Sequence, residues 1–395
     1  MDLLLDSFVL GAKDHLLISD DGFLRTSKRQ PDAWHYTGCL KLDSEKCWDT
    51  VMKLSGSPVP QIPQKYVEAM KVAAPDLVPI PWSQVLPQTS YRAYLNDLVA
   101  LRDKYDDRAI KYYSSTWVKG NELLRRLRPA RTDGTLINEL SSASVHNASV
   151  IESFRPRSGG YAAPAVYDRF GTVTGRLVVE SGPSILLLKK ENKRVIRPST
   201  PGGAIISLDF ASLEARILLY ESGGKCDGPD LYSDIASRLG GLSRSTVKAA
   251  ILAELYGSSK NSLALTLGMS DTDLTKFIKM IGEVIDTRGL LRRLKSQFST
   301  EGFITNRYGR RVDVARPQDN IFVNYYAQST GVDVALMGFN EILNRLGHDG
   351  IRPLFVLHDA LILDVREDRI SDVESMTNVI VPGYSQPFPL KPERV

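Results

Sequence analysis

The chain has 395 residues, of which 43% are hydrophobic and 24% are charged, and its net charge is +4. This composition is typical of a globular protein with two or three domains and excludes a disordered or fibrous chain. No run of about 18 apolar residues and no signal peptide is recognisable, so we expect a soluble, cytoplasmic protein without a membrane partner. The three cysteines cannot all pair, which favours a reducing compartment and no structural zinc.

The first 131 residues contain three segments of different character. Residues 1–55 have short alternating runs that predict a small β or mixed element. Residues 56–90 are rich in proline and predict a semi-rigid linker with one short helix over residues 66–73. Residues 91–131 have apolar residues at helical spacing, with many cations and several aromatic residues between them. That surface suits a nucleic acid backbone, and a charged solvent-exposed face explains it equally well.

Residues 132–166 are rich in Ser, Asn, Gly and Pro and predict loops. Further along, residues 204–220 read AIISLDFASLEARILLY, a short apolar run ending at Asp209 followed by Leu213, Ile217 and Leu218 at helical spacing. The pattern predicts a buried strand that delivers one carboxylate and then turns into a helix. From this segment alone, the acid is either a helix cap or a metal ligand.

Residues 244–257, RSTVKAAILAELYG, place Arg244, Lys248, Leu252 and Tyr256 along one stripe of a helix. Two cations at one end and an aromatic ring at the other match a nucleoside triphosphate, which has anionic phosphates and a flat base. A basic amphipathic helix that ends at Gly257 is the alternative explanation.

Residues 353–365, PLFVLHDALILDV, have two apolar, β-rich runs that flank His358 and Asp359. They predict a hairpin with this pair at or near its tip. A carboxylate in such surroundings is costly unless it is paired or binds a metal. Asp209 and Asp359 are therefore expected to converge on two Mg²⁺ ions, as in metal-assisted phosphoryl transfer. His358 has the alternative of a hydrogen bond to a backbone carbonyl.

In order and spacing, these three stretches resemble motifs A, B and C of family A DNA polymerases, the bacterial polymerase I group. DFASLEAR is similar to D-Y-S-Q-I-E-L-R, RSTVKAAILAELYG to R-x3-K-x3-F-x3-Y-G, and LHDA to V-H-D-E. Two further segments join them: YDRFGTVTGRL at residues 167–177 resembles the T-G-R-L segment, and NYYAQSTGVDVALMGF at residues 324–339 resembles the helix before motif C. The resemblance covers residues 165–366 and leaves the earlier residues unexplained.

The resemblance implies an α+β right-hand polymerase with an antiparallel palm sheet, helical fingers and a helical thumb. The expected subdomains are an N-terminal region and linker (1–90), a thumb-like region (91–165), a first palm part (166–224), the fingers (225–300) and a second palm part (301–395). It also implies a template-directed DNA polymerase that adds dNMPs to a primer 3′-hydroxyl and releases pyrophosphate. Its expected partners are primer-template DNA and dNTPs, and replication accessory proteins are compatible with that role.

The resemblance assigns roles to individual residues. Asp209, Asp359 and the carbonyl of Phe210 would hold two Mg²⁺ ions, with Mn²⁺ as an alternative. Arg244 and Lys248 would bind the triphosphate, and Lys248 would also donate a proton to the leaving group. The nucleotide pocket would further include Leu252, Tyr256 and Glu214, with Glu214 excluding a 2′-hydroxyl. The expected DNA contacts are Arg176, Arg197, Asn324, Gln328 and His358.

The sequence departs from the family pattern at two positions. Leu252 stands where these DNA polymerases have Phe or Tyr, and Ala360 stands where they have a third carboxylate. Leu252 and Ala360 keep a single-subunit RNA polymerase open as an alternative, and a non-catalytic nucleic-acid-binding relative is the third. Asp43 and Glu45 have the D-x-E spacing of a proofreading exonuclease, but the segment is too short for that domain. The short chain and compressed fingers suggest a phage or mobile-element enzyme.

Overall fold

The structure is a computed structural model that describes residues 1–38, 46–143, 147–157, 159–226, 228–240, 242–256 and 260–395. The chain forms two compact units, one of residues 1–118 with 309–311 and one of residues 119–308 with 312–395. The boundaries that we predict for palm, fingers and thumb stay predictions. Asp43, Glu45 and Gly257 lie outside the described residues.

The first unit combines a small sheet with short helices, which confirms the mixed element predicted for residues 1–55. Its strands are β1 (Leu3–Leu5), β2 (His15–Ser19), β3 (Gly22–Thr26) and β4 (Trp34–Tyr36). Its helices are α1 (Ser7–Leu10), α2 (Trp48–Ser55), α3 (Gln64–Ala73), α4 (Trp82–Val85), α5 (Gln88–Val99) and α6 (Asp107–Tyr112), with a 3₁₀ turn at Ala100–Arg102 and a π turn at Tyr113–Trp117. The sheet order is β3-β2-β1-β4, with β1 antiparallel to β2 and parallel to β4.

The core of this unit forms around Trp48, which is fully buried. Its ring lies 5.4 Å from that of Trp34 and 5.3 Å from that of Tyr105, and its indole N–H donates to the carbonyl of Leu101 at 3.1 Å. A buried indole is stable because its one polar group is satisfied. The helix predicted for residues 66–73 is confirmed as α3.

The second unit contains the remaining elements. Its helices are α7 (Val118–Arg126), α8 (Gly134–Ala143), α9 (Ala148–Glu152), α10 (Leu213–Glu221), α11 (Leu231–Arg238), α12 (Arg244–Tyr256), α13 (Lys260–Leu267), α14 (Asp271–Val284), α15 (Arg288–Glu301), α16 (Asp319–Leu346) and α17 (Ile370–Glu374). Its strands are β5 (Arg131–Thr132), β6 (Val166–Asp168), β7 (Val178–Ser181), β8 (Ile196–Arg197), β9 (Ala204–Phe210), β10 (Phe303–Thr305), β11 (Arg311–Asp313), β12 (Ile351–Leu357), β13 (Ala360–Val365), β14 (Asn378–Val379) and β15 (Phe388–Arg394). Short 3₁₀ turns lie at Ile185–Leu187, Lys190–Val195 and Glu367–Arg369.

A five-stranded antiparallel sheet, ordered β12-β13-β9-β15-β14, forms the centre of the second unit. Strand β9 lies in the middle, and five of its seven residues, Ile205 to Leu208 and Phe210, are buried, as expected for a strand with neighbours on both sides. Helix α16 packs against this sheet, and the Phe339 ring lies 5.0 Å from the ring of Phe210. The predicted strand-to-helix segment, the hairpin and the α+β class are all confirmed.

The prediction of loops over residues 132–166 is wrong, because α8 and α9 lie there. Asp133 starts α8 by accepting a hydrogen bond from the backbone N–H of Leu136 at 3.0 Å. Ile137 is fully buried, so the helix is stabilised by packing as well as by its cap. Polar composition alone concealed this short amphipathic pattern.

Helix α16 has 28 residues, but within the described parts of the chain no helix is apolar enough over a bilayer-spanning length to cross a membrane. Charged and polar side chains interrupt its apolar face, as in a helix buried against a sheet.

We expect Gly338→Ala to lower the thermal unfolding midpoint. A Cβ atom at position 338 would lie 2.8 Å from the Phe210 ring and 3.2 Å from Val381. Alanine gains about 1 kcal/mol of helix propensity, but overpacking a tight core costs about 1–3 kcal/mol. The matched control is Gly282→Ala, where nothing lies within 4 Å and the midpoint should rise. Circular dichroism measures both unfolding midpoints. An equal change in the midpoint at both positions would contradict the close contact between α16 and β9.

Candidate active site

Two aspartates come together at one edge of the five-stranded sheet. Asp209 is the next-to-last residue of β9, and Asp359 lies in the two-residue turn between β12 and β13. The register places Asp209 opposite Ala360, and the backbone N–H of Phe210 donates to the carbonyl of Asp359 at 3.0 Å. Backbone pairing therefore fixes the two carboxylates beside each other, as the sequence predicts.

Two residues near these aspartates adopt left-handed backbone conformations that only glycine adopts freely. His358 has φ 56° and Ser212, just before α10, has φ 59°. Within the described chain these are the two non-glycine residues with positive φ, and both line the same pocket. Such a conformation costs about 1–2 kcal/mol per residue. Backbone strain of this kind is concentrated where the chain is shaped for a ligand rather than for stability.

The electrostatics of the pair favour a bound cation. Asp209 keeps solvent contact on one side, but the sheet removes part of its hydration, and this effect, followed by the charge of Asp359, raises its pKa to about 6. Burial also raises the pKa of Asp359, and the Glu214 carboxylate adds to this, whereas His358 and Arg176 oppose it. A divalent ion would offset the repulsion between the carboxylates, and oxygen ligands suit hard cations.

The donor set for such an ion is small. Among the described residues no group of three or more His, Cys, Asp or Glu side chains could hold a metal ion. The two aspartates thus fit a divalent cation whose remaining ligands are backbone, water or substrate oxygens, which is how Mg²⁺ is commonly bound. Ala360, next to Asp359, contributes no side-chain ligand.

A pocket of about 410 Å³ opens beside Asp359, and we call it the carboxylate pocket. It brings together many of the residues predicted from sequence: Arg176, Glu214, Leu252, Tyr256, Gln328, His358 and Asp359. Other walls come from the start of α10, from Tyr232 in α11 and from the α16 segment 331–336. Its size is in the range of pockets that hold a small-molecule ligand.

Glu214 is held firmly in this pocket. One carboxylate oxygen accepts from the Arg176 guanidinium at 2.7 Å, and the other accepts from the Tyr256 hydroxyl at 2.5 Å. Burial and then the hydrogen bond to Glu214 raise the pKa of Tyr256 to about 12, so the phenol keeps its proton at neutral pH. The carboxylate therefore has a fixed position between the helix α12 and the T-G-R segment.

The two cations of α12 are in different states. Arg244 donates to Asp230 at 2.5 Å and lies over the Tyr232 ring at 5.6 Å. Burial alone would raise the pKa of Asp230, but hydrogen bonds from Arg244 and Ser233 lower it to about 2. Lys248 is exposed and has no ion-pair partner within the described parts of the chain. Lys248 can therefore take an anionic ligand directly, whereas Arg244 must first leave Asp230.

Several predicted residues lie outside the carboxylate pocket. The Phe210 ring is in the core, 6.2 Å from the ring of Phe388, so its backbone is the part that can face a ligand. Asn324 is buried and donates to the carbonyl of Leu255 at 2.9 Å while accepting from Gln328. Arg197 lies on β8, where it pairs with Asp133 at 3.0 Å.

Sequence reasoning missed the pairing of Asp230 with Arg244 and the role of Arg216. Asp230 and Arg244 are 14 residues apart, a separation without any periodic signal. Arg216 is fully buried and donates to the carbonyls of Ala211 at 3.0 Å, Gly228 at 2.8 Å and Pro229 at 2.9 Å. It thereby ties the end of β9 to the loop that carries Asp230. An arginine between Ala215 and Ile217 in a helix gives no sign of such contacts.

We expect Arg216→Met to destabilise the protein by about 3 kcal/mol, because it leaves several buried carbonyls without donors. The control is Arg345→Met in α16, where an exposed pair with Glu341 at 3.3 Å contributes less than about 1 kcal/mol. Urea unfolding followed by circular dichroism measures both. If Arg216→Met lowers the free energy of unfolding no more than Arg345→Met does, the carbonyls around position 216 are satisfied by water.

The comparisons with known proteins agree with this geometry. The sequence profile of DNA polymerase family A matches residues 138–388, more than half of the chain. The thermostable DNA polymerase I of Thermus aquaticus is 23% identical over 258 residues, covering 58% of this chain and 31% of the relative. DNA polymerase I of Rhizobium leguminosarum is 26% identical over 264 residues, covering 57% of this chain and 26% of the relative. The chain thus spans about a quarter to a third of the length of these relatives.

The fold has a counterpart among solved structures. The polymerase domain of Pol1 from M. smegmatis, in a complex with DNA primer-template and dNTP, superposes with a TM-score of 0.58. That match covers 100% of this chain and 94% of the other at 15% sequence identity, a level that demonstrates the fold. The α+β polymerase fold implied by the five motifs is confirmed. The chain belongs to the family A DNA polymerases.

Proposed function

We propose that the protein is a template-directed DNA polymerase that adds dNMPs to a primer 3′-hydroxyl and releases pyrophosphate. The observation that supports this most is the convergence of Asp209 and Asp359 beside a pocket that contains Glu214 and Tyr256. The relatives are named DNA polymerases I, and the solved structure binds primer-template DNA and dNTP. The same two kinds of ligand are proposed here.

Family A DNA polymerases generally use divalent metal ions. We propose Mg²⁺ for this protein, held by the carboxylates of Asp209 and Asp359 and by the backbone carbonyl of Phe210. The raised pKa values of both aspartates support this: burial is the first cause for each, and a cation would offset the lost hydration as well as the repulsion that Asp359 exerts on Asp209. When bound, two such ions activate the 3′-hydroxyl and neutralise the leaving group.

Helix α12 would bind the triphosphate. Lys248 is exposed and unpaired within the described residues, so its ammonium can bind a phosphate oxygen and donate a proton to the departing pyrophosphate. Arg244 offers a bidentate guanidinium once it exchanges Asp230 for phosphate. Leu252 and Tyr256 line the carboxylate pocket and would contact the base and sugar.

Glu214 would select the sugar. Arg176 and Tyr256 hold both of its oxygens, so the side chain cannot swing aside to admit a 2′-hydroxyl. The carboxylate thus disfavours ribonucleotides by occupying space. Its fixed position supports the DNA polymerase over the RNA polymerase alternative.

The DNA contacts that we propose lie around the same pocket. Arg176, Gln328 and His358 line it and would meet the primer terminus and the nascent pair. Asn324 accepts from Gln328 at 2.5 Å, so it would act on DNA together with that amide. Arg197 lies in a different pocket, where it can bind a backbone phosphate.

We expect Asp209→Asn to reduce primer extension by at least about 10³-fold, equivalent to about 4 kcal/mol of transition-state stabilisation. The assay extends a labelled primer on a DNA template with Mg²⁺ and dNTPs. Asp372→Asn, an exposed aspartate paired with Arg369, is the control and should extend normally. Mg²⁺ should raise the unfolding midpoint of the wild type but not of Asp209→Asn. No extension by the wild type, with no shift by Mg²⁺, would contradict the proposal.

We expect Glu214→Ala to raise rNTP incorporation relative to dNTP incorporation by about 10–100-fold. The reason is that a side chain occupying the position of the 2′-hydroxyl contributes about 1–3 kcal/mol to discrimination between the two sugars. Glu214→Gln keeps the volume and should stay selective, which separates steric exclusion from charge. Parallel primer extension with each nucleotide class measures the ratio. Equal use of rNTPs and dNTPs by the wild type would favour the RNA polymerase alternative.

A further inference from the structure

The second unit has another polar pocket, which we call the arginine pocket. Its volume is about 490 Å³, and its lining residues are Arg131, Thr132, Asp133, Gly134, Arg197, Pro198, Thr200, Gly202 and Gly203. It shares no lining residue with the carboxylate pocket. Apart from Pro198, no lining side chain is apolar, so the pocket suits a polar or charged ligand.

The two arginines face each other across paired strands. Strands β5 and β8 are antiparallel, and their register places Arg131 directly opposite Arg197. Like charges in this arrangement destabilise a strand pair unless an anion compensates them. A short ladder that keeps two opposed guanidinium groups therefore indicates a compensating negative charge.

The chain itself supplies only part of that charge. Asp133 accepts from the Arg197 guanidinium at 3.0 Å, but its other oxygen is used to cap α8 through the N–H of Leu136. Among the described residues, the Arg131 guanidinium donates to the carbonyls of Pro198 at 3.4 Å and Ser199 at 3.5 Å, which are long hydrogen bonds. The pocket thus has two guanidinium groups for one carboxylate.

One hydroxyl group in the lining has no hydrogen-bond partner among the described residues. The Thr200 hydroxyl oxygen is buried there without a hydrogen bond. Buried polar groups are normally satisfied, and an exception in a pocket is explained by a ligand that accepts the bond. Thr200 lines the arginine pocket, whereas the Thr132 side chain lies on the opposite face of β5 from Arg131 and pairs with the buried Ile196.

The loop across the pocket is held in place. The backbone N–H of Ser199 donates to both oxygens of Asp364, at 3.1 and 3.3 Å, and Asp364 is 2% exposed. Gly203 has no room for a side chain, because a Cβ atom would lie 2.8 Å from the Thr200 hydroxyl. The Glu367 carboxylate packs against Gly202 but does not line the pocket.

We propose that the arginine pocket binds a phosphate group, at a site separate from the carboxylate pocket. Two guanidinium groups and the Thr200 hydroxyl are donors that suit a tetrahedral dianion or a phosphodiester. The phosphate comes either from free phosphate or pyrophosphate, or from the backbone of a nucleic acid strand. Binding at this site needs no catalytic metal and no chemistry at Asp209.

The test measures binding to the full chain without Mg²⁺ or dNTPs, so its outcome is independent of catalysis. The probes are sodium phosphate, sodium pyrophosphate and a labelled single-stranded oligonucleotide, all at constant ionic strength. The double variant Arg131→Gln, Arg197→Gln should lose at least about tenfold in affinity for one probe class. The control Arg238→Gln, Arg394→Gln removes the same charge from two exposed ion pairs and should stay within about twofold.

The different probes distinguish a free phosphate or pyrophosphate ion from the backbone phosphate of a nucleic acid strand. Loss of phosphate or pyrophosphate binding assigns the site to a free anion. Loss of oligonucleotide affinity, with a salt dependence shallower by about 1.4 in log–log slope, assigns it to two strand phosphates at about 0.7 each. Equal binding by the double variant and its control, for every probe, overturns the proposal.

A second variant guards against misfolding of the arginine variant. Thr200→Val removes an unpartnered hydroxyl and keeps the shape, so the unfolding midpoint should not fall. Affinity for the same probe should still drop severalfold, because a donor to the anion is lost. Unchanged affinity in both Thr200→Val and the arginine variant would likewise overturn the proposal. Asp209→Asn should bind as the wild type does.

Discussion

The partial burial of two neighbouring carboxylates is the constraint on which the second unit depends. Asp209 and Asp359 are presented by neighbouring strands of one sheet, and the hydrogen bond from Phe210 to Asp359 prevents them from moving apart. Burial raises the pKa of both carboxyl groups, and nearby carboxylates add to it: Asp359 acts on Asp209, and Glu214 acts on Asp359. A fold that holds like charges together without a ligand must be stabilised elsewhere, since removing hydration from a carboxylate is expensive.

The stabilisation comes from the sheet and the helices that pack on it. Strand β9 is central, and the rings of Phe210, Phe339 and Phe388 form an apolar layer beneath the aspartates. Arg216 adds a polar tie by donating to carbonyls on both sides of the site. Around this rigid base, the carboxylate pocket is built from side chains that hold one another, with Glu214 between Arg176 and Tyr256.

The elements that carry the site follow from local sequence patterns. The apolar run before Asp209, the helical stripe through Lys248 and the β-rich runs around His358 each have a period that specifies one type of element. The helices α8 and α9 were not predicted, because their cap and buried residues lie in a stretch of turn-forming composition. The contacts of Asp230 and Arg216 were not predictable either. They join residues that only the tertiary fold brings together, and no spacing encodes them.

The pairing of Arg244 with Asp230 has a consequence for binding. Any anion that binds Arg244 must displace an internal carboxylate that lies 2.5 Å from the guanidinium. The apparent affinity of Arg244 for every anion is then lower than its intrinsic affinity, by the fraction of molecules in which the internal pair is open. Both side chains of the pair are partly exposed, so the pair contributes no more than about 1 kcal/mol. A polyanion that also contacts Lys248 gains from two cations and therefore competes with Asp230 better than a single ion does. The internal carboxylate thus acts as a competing ligand for Arg244.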